Sequence, residues 1–240
     1  MGRGEGVHRG LDAVGGTDPS AWPSLSAPRH TIRAVVPPRY GLDIETDTSA
    51  GGLDPSCSAV IAAAVSTTSG DVVFDGDEAS LLLALDAHLA TLAPGVLVTW
   101  NGSGFDLPFI ARRAALLGIE VALHTEDDPS IRLRDPMPGL THAQRGRWHE
   151  HDHLDGYRLY RADVGRTLGL SCALKSMANT VGLPSVMVDV AALHTLSGEQ
   201  VAAYVASDAR LARQLVDRRL PHALASADRL RLGCHTPATH

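Results

Sequence analysis

The order of apolar and polar positions along the chain predicts a mixed α/β architecture. Tyr40–Thr46 (YGLDIET) combines an aromatic, apolar and β-branched residues and is closed by polar residues, which reads as a strand. Cys57–Thr67 is a continuous apolar run of strand length, Ser69-Gly70 is a turn signal, and Asp71–Phe74 is a further short strand. Together these predict a three-stranded antiparallel meander. Asp77–Leu92 predicts a helix with acids in its first turn, where they suit the helix dipole, and Pro94-Gly95 beyond its end. Val96–Trp100 predicts a fourth strand, Asn101–Gly104 a loop, and Phe105–Leu117 a helix that tolerates Pro108 in its first turn and stops at Gly118.

Beyond this point the pattern is weaker. Glu126–Gly146 reads as loop, His153–Tyr160 as a partly exposed strand, Ala162–Gly182 as one or two short helices around Gly169, and Pro184–Asp189 as irregular. Ser197–Leu220 predicts the best-defined helix. Ser197 and Gln200 form a capping box, Leu196 and Val201 a hydrophobic staple, and Val201, Val205, Leu211, Leu215 and Val216 a buried stripe. A helix between the third and fourth strands permits a crossover, so the fourth can run parallel to the first. The first strand is then central, and functional groups belong at its end. Residues 1–37 are rich in Gly, Pro, Ser and Arg without periodicity and read as a disordered leader. Residues 38–225 form the predicted domain, and 226–240 read as a frayed tail.

Composition narrows the classes. At 240 residues, with 44% hydrophobic and 20% charged positions, the chain can bury one sizeable core. It has no apolar run of membrane-span length and no apolar core of a signal peptide near Met1, so no membrane partner is expected. Three scattered cysteines without metal spacing fit a reducing cytoplasm. A formal net charge of −6 disfavours broad nonspecific duplex binding, which rests on a basic surface. It leaves room for an enzyme that grips one strand end through metal ions.

Candidate chemistry starts with Asp43 and Glu45. Their i,i+2 spacing puts both carboxylates on one face of a strand. Adjacent anions repel, so either they are a solvated pair at a strand end or a divalent cation lies between them. Asp106 follows the fourth strand at a helix start, where it could be a cap or could approach the first pair. Tyr204 and Asp208, four apart, share a helix face. The nearby bases Arg210 and Arg213 point elsewhere, which weakens a purely local pairing for Asp208.

These three motifs, D-x-E at Asp43/Glu45, N-x-x-x-F-D from Asn101 to Asp106 and Y-x-x-x-D from Tyr204 to Asp208, occur in the order found in DEDD exonucleases. The chain resembles their tyrosine-bearing branch, which includes the proofreading domains of family B DNA polymerases; the phrase TWNGSGFDLPFIARR is especially close. The resemblance covers about Pro38 to Leu220. It implies a ribonuclease H-like fold with a mixed central sheet flanked by helices, and a 3′-to-5′ exonuclease that releases nucleoside 5′-monophosphates from single-stranded or frayed DNA ends. Two Mg²⁺ or Mn²⁺ ions are implied as cofactors, since two hard cations can clamp an anionic phosphodiester, activate water and stabilise the leaving 3′ oxygen. By the same resemblance Asp43, Glu45 and Asp208 hold one ion, and Asp43 and Asp106 serve the other. Tyr204, with an ordinary pKa of about 10, orients the attacking water rather than taking its proton. Thr46, Asn101 and Phe105 contact the strand end: Thr46 through its backbone N–H, and Phe105 by stacking, with simple core packing as its alternative role. Lys175 reads as a solvated lysine or a phosphate contact. The protein is expected to act alone or with a separate polymerase or repair protein as partner.

Other readings compete. A 3′-to-5′ exoribonuclease of the same fold stays open, because no residue can be assigned to reading a 2′-hydroxyl. His149-Glu150-His151-Asp152-His153 contains H-E-x-x-H, the zinc metallopeptidase signature, through His149, Glu150 and His153. That chemistry requires a helix, and the extended pattern requires a third His where Leu159 stands. A His-rich solvated loop is favoured. A non-catalytic nucleic-acid-binding module is disfavoured, because a dead site has no reason to keep a repulsive acid cluster.

Overall fold

A computed structural model of the chain describes residues 36–47, 49 and 53–233. The predicted leader therefore lies outside the described residues apart from its last two positions, and so do residues 234–240 of the predicted tail. The described residues form a seven-stranded sheet in the order β3-β2-β1-β4-β7-β6-β5. The first half comprises β1 (Arg39–Thr46), β2 (Val60–Ser66), β3 (Asp71–Asp75), α1 (Glu78–Thr91), β4 (Val96–Thr99) and α2 (Asp106–Leu117). The second half comprises β5 (Leu123–Arg132), β6 (His142–Trp148), β7 (His151–Asp155), α3 (Gly156–Tyr160), α4 (Arg166–Leu168), α5 (Leu174–Thr180) and α6 (Gly198–Gly233).

The meander β1–β2–β3 is antiparallel and β4 runs parallel to β1, as the crossover through α1 requires. β1 is interior, but β4 holds the middle of the sheet. Helix ends follow their local signals. Asp77 caps α1 through Ser80 N–H, Gly118 ends α2 in the left-handed conformation, and Ser197 and Gln200 exchange reciprocal hydrogen bonds before α6.

Strand alternation divides β1 between two layers. Leu42 and Ile44 face α1 and α2, in a core with Leu81, Leu85, Leu89, Phe109 and Trp148. Each fully buried aliphatic side chain of this kind contributes roughly 1.5–3 kcal/mol. Gly41, Asp43 and Glu45 face α6. Alanines stand beside the acids on β2, with Asp43 paired to Ala64 and Glu45 to Ala62. α6 packs on this face through Val201, Val205 and Ala209. A Cβ at Gly41 would lie 1.9 Å from the Ala209 carbonyl oxygen, so only glycine allows the helix backbone to come this close. The Arg39–Asp217 ion pair ties the same helix to the start of β1.

Several expectations are corrected. Residues 126–146 are not loop: they belong mostly to the β5–β6 hairpin, which pairs from Leu123↔Trp148 to Arg132↔His142. β5 is an edge strand carrying Asp127, Asp128 and Pro129, with a register shift between Asp128 and Arg132. An edge strand exposed to water has no need of apolar alternation, and it accommodates a proline that has no ladder hydrogen bond to give. His153–Tyr160 is only partly strand. β7 ends at Asp155, whose side chain accepts from Arg158 N–H and starts the helical turn α3. α6 continues through Pro221 to Gly233, so residues 226–233 are helical rather than frayed. No helix among the described residues is long and apolar enough to cross a membrane.

The H-E-x-x-H segment is not helical, which removes the metallopeptidase geometry. It straddles the β6–β7 turn, with His149 at φ 49°. His149 Nε2 lies 3.0 Å from the Asp86 carbonyl oxygen, whereas His153 Nε2 lies 2.8 Å from Thr99 Oγ1. The two imidazoles are committed to different partners.

Candidate active site

Three segments distant in sequence bring their acids to one place. β1 supplies Asp43 and Glu45, the start of α2 supplies Asp106, and α6 supplies Tyr204 and, joined to the others through Lys175, Asp208. The parallel β1–β4 pair puts the loop after β4 beside the end of β1, and that loop delivers Asp106. The close approach at Gly41 sets Ala209, and with it Asp208, against the same strand.

The electrostatics record the crowding. Burial raises the Asp43 carboxyl well above the usual carboxylate range, Asp106 and Glu45 raise it further, and Lys175 opposes them. Glu45 is pushed up to about 7, by burial first and then by Asp106. Asp106 is also pushed up to about 7, chiefly by burial; Asp155 adds to the rise, and the backbone amides of Asp106 and Ile44 counter it. Asp106 is the first residue of α2 and not its N-cap; Phe105 occupies that position without a side-chain cap bond.

Lys175 is the cation of the cluster. It pairs with Asp208, and its Nζ lies 4.5 Å from the centre of the Tyr204 ring. Burial lowers it to about 8, against the pull of Asp43 and Glu45. The base facing Asp208 thus comes from α5, and the reading of Lys175 as a solvated lysine is corrected. Tyr204 is pushed up to about 12 by burial and by Glu45 and Asp43, so its hydroxyl stays protonated.

A cleft of about 580 Å³ opens on the cluster. Among the described residues its lining includes Asp43, Asp54, Asp106 and Asp135, together with Asn101, Phe105 and Met137, but no lysine or arginine. Phe105 is half-buried: it borders the cleft, and its ring centre lies 5.2 Å from that of Phe109, so it serves the core and the cleft together. Asn101 is exposed at φ 73°. Thr46 is buried at the end of β1, just past a register shift against β2.

Among the described residues no three His, Cys, Asp or Glu side chains converge on one ligating point as they stand. The donor set nevertheless suits hard divalent cations. It is made of carboxylates, and three of them are pushed up by burial and mutual repulsion. Sequence reasoning missed Asp155, which is buried and accepts from Asn101 N–H and Ser103 N–H. Its only signal was a carboxylate two residues after His153 on an alternating strand.

Comparison with known proteins gives the family. The exonuclease domain of DNA polymerase family B matches residues 55–177. That span contains Asn101, Phe105, Asp106, Asp155 and Lys175, while Asp43, Glu45, Tyr204 and Asp208 lie outside it. Among solved structures, the family B DNA polymerase from the hyperthermophilic archaeon Pyrobaculum calidifontis superposes with a TM-score of 0.60 at 21% identity. The similarity covers 77% of this chain and 25% of that one, so the chain spans about a quarter of the polymerase's length. No curated protein sequence matches the chain. The chain belongs to the exonuclease domain family of family B DNA polymerases, and is thereby a 3′-to-5′ exonuclease, a phosphodiester hydrolase of ribonuclease H-like fold.

Proposed function

We propose that the protein removes nucleotides one at a time from the 3′ end of single-stranded or frayed DNA, releasing nucleoside 5′-monophosphates. The observation that carries this reading is the buried carboxylate cluster Asp43–Glu45–Asp106, with Lys175 and its partner Asp208 beside it, of which Asp43 and Asp106 line a cleft shared with Asp54 and Asp135. An anionic strand entering such a cleft meets only repulsion unless cations join it. Two divalent cations, Mg²⁺ or Mn²⁺, held by Asp43, Glu45, Asp106 and Asp208, would supply water activation and stabilisation of the leaving 3′ oxygen.

The protein's own groups have distinct tasks in this reading. Tyr204, kept protonated, orients the attacking water by hydrogen bonding and is unsuited to act as the base. Lys175 balances the acids and holds the Tyr204 ring. Asn101 contacts the strand end, the Thr46 backbone N–H meets the terminal 3′-hydroxyl, and Phe105 presents its ring to the last base. The catalytic domain runs from residue 38 into α6. A reducing cytoplasm, and action alone or with a separate polymerase or repair protein, complete the proposal.

The test is degradation of end-labelled single-stranded DNA and RNA, side by side, with Mg²⁺, Mn²⁺ or chelator. Shortening from the 3′ end with release of mononucleotides is expected on DNA, abolished by chelator and by Asp43→Ala or Asp208→Ala, both of which stay folded. Unchanged cleavage in both variants refutes the assignment, and faster cleavage of RNA replaces DNA by RNA as substrate.

A further inference from the structure

The loop that joins β4 to α2 carries Asn101 at its start and delivers Asp106 at its end; a turn closes within it, Gly104 N–H donating to the Asn101 carbonyl at 2.9 Å, but the amides that open it look outside for partners. Asn101 sits at φ 73°, a region non-glycine residues seldom adopt. Three consecutive N–H groups of the loop are satisfied by side chains. Asn101 N–H donates to Asp155 Oδ1 at 3.0 Å, Gly102 N–H to Thr99 Oγ1 at 3.1 Å, and Ser103 N–H to Asp155 Oδ2 at 3.3 Å. Thr99 Oγ1 in turn shares a 2.8 Å hydrogen bond with His153 Nε2.

These supports come from two paired strands, Thr99 from the end of β4 and Asp155 and His153 from β7. His153 and Asp155 are two apart on β7 and so project on the same side, and the parallel pairing sets Asp155 level with Thr99, just beneath the loop. Burial pushes the His153 imidazole down to about 4, so it stays neutral. The far side of the loop is pinned by Gln144 N–H, which donates to the Ser103 carbonyl at 2.7 Å.

We propose that Asp155, backed by the Thr99–His153 pair, is a positioning residue: it clamps the loop so that Asn101 and Asp106 are set for the reaction. The proposal rests on the reading of Asp106 and Asn101 as site residues. The plainer roles for Asp155 are the cap of α3 and an ion pair with Arg158 Nε at 3.3 Å, but its bond to Arg158 N–H, at 3.4 Å, is the longest of its three backbone contacts. A cap needs one oxygen, and here both oxygens are engaged by the loop.

Asp155→Asn, Asp155→Ala and Asp155→Ser separate the roles. Asparagine turns one of the two acceptors into a donor facing an N–H. Serine preserves the α3 cap but cannot span both amides. Two measurements are made on each: hydrogen exchange of residues 100–105, and kcat and KM on a single-stranded oligonucleotide with Mn²⁺. All three variants are expected to lose amide protection in the loop by about tenfold or more, and to lose kcat by about tenfold to a hundredfold, as displaced catalytic groups do. KM is expected to change by less than about threefold, because most of the cleft lining is untouched. A loop that stays protected in Asp155→Ala, or near-normal kcat in Asp155→Ser, overturns the proposal. A loop that opens without loss of kcat overturns it in a different way: the clamp is then real, and the assignment of Asn101 and Asp106 to the chemistry fails.

Discussion

Glu45→Gln is expected to stabilise the protein in the presence of chelator, and to do so only where the wild-type carboxylate is ionised. The folded-state pKa of Glu45 is raised from 4.5 to about 7, so the folded protein holds this proton more tightly than the unfolded chain does. Stability therefore falls as pH rises from about 4.5 to about 7, and the full penalty is present above that window. It amounts to about 3 kcal/mol at pH 8 and about 1 kcal/mol at pH 5. Glutamine removes this charge penalty but buries an amide, which gives back about 1 kcal/mol. The net gain is about 2 kcal/mol at pH 8, equivalent to a rise in Tm of about 4–8 °C for a chain of this size, and close to zero at pH 5. Thermal and urea denaturation in EDTA at both pH values measure it. Mn²⁺ at a hundredfold excess over its Kd would add about 2.7 kcal/mol to the wild type, and less to the variant. A variant that is no more stable than wild type at pH 8, or whose gain is the same at pH 5, refutes the argument that uncompensated charge at Glu45 opposes folding.

Two further outcomes follow from the cluster. Lys175→Met leaves Asp208 without the counter-charge it shares with Asp43 and Glu45, and is expected to cost about 2 kcal/mol in EDTA at pH 7, where Lys175 is still mostly protonated. Stabilisation by Mn²⁺ is expected to grow at the same time; a variant as stable as wild type would show that the ion pair is dispensable. Tyr204→Phe removes a hydroxyl that stays protonated, so turnover is expected to fall by about tenfold or more with Mn²⁺ affinity by calorimetry unchanged, and unaltered turnover removes Tyr204 from the mechanism.

Much of this arrangement could be read from local chemistry. The Asp77 cap, the Gly118 stop and the Ser197/Gln200 box announce helix ends because each satisfies backbone groups within a few residues. The alternation of Leu42 and Ile44 with Asp43 and Glu45 likewise announces a strand with one core face and one acidic face. The β5–β6 hairpin was hidden because its strands are held by pairing with each other, while many of their side chains remain in water. Lys175 was hidden because its partner lies 33 residues away on another helix, and nothing around it on a seven-residue helix marks it as buried. Asp155 was hidden by a boundary: Gly156 begins a helical turn in the middle of what reads as a strand, and the carboxylate at the junction serves a loop more than 50 residues earlier.

The missing side chain at position 41 has a consequence for how activity responds to damage. Because α6 rests directly on the β1 backbone there, the spacing of the two layers and the placement of Asp208 are one and the same quantity. Anything that wedges the layers apart, even Gly41→Ala with its single added methyl, moves Asp208 away from β1, and under the proposed role of Asp208 this is expected to cost activity before the core melts. Loss of hydrolysis would then precede loss of fold along any heating or denaturant ramp, and a half-open molecule would be a harmless one for the nucleic acid around it.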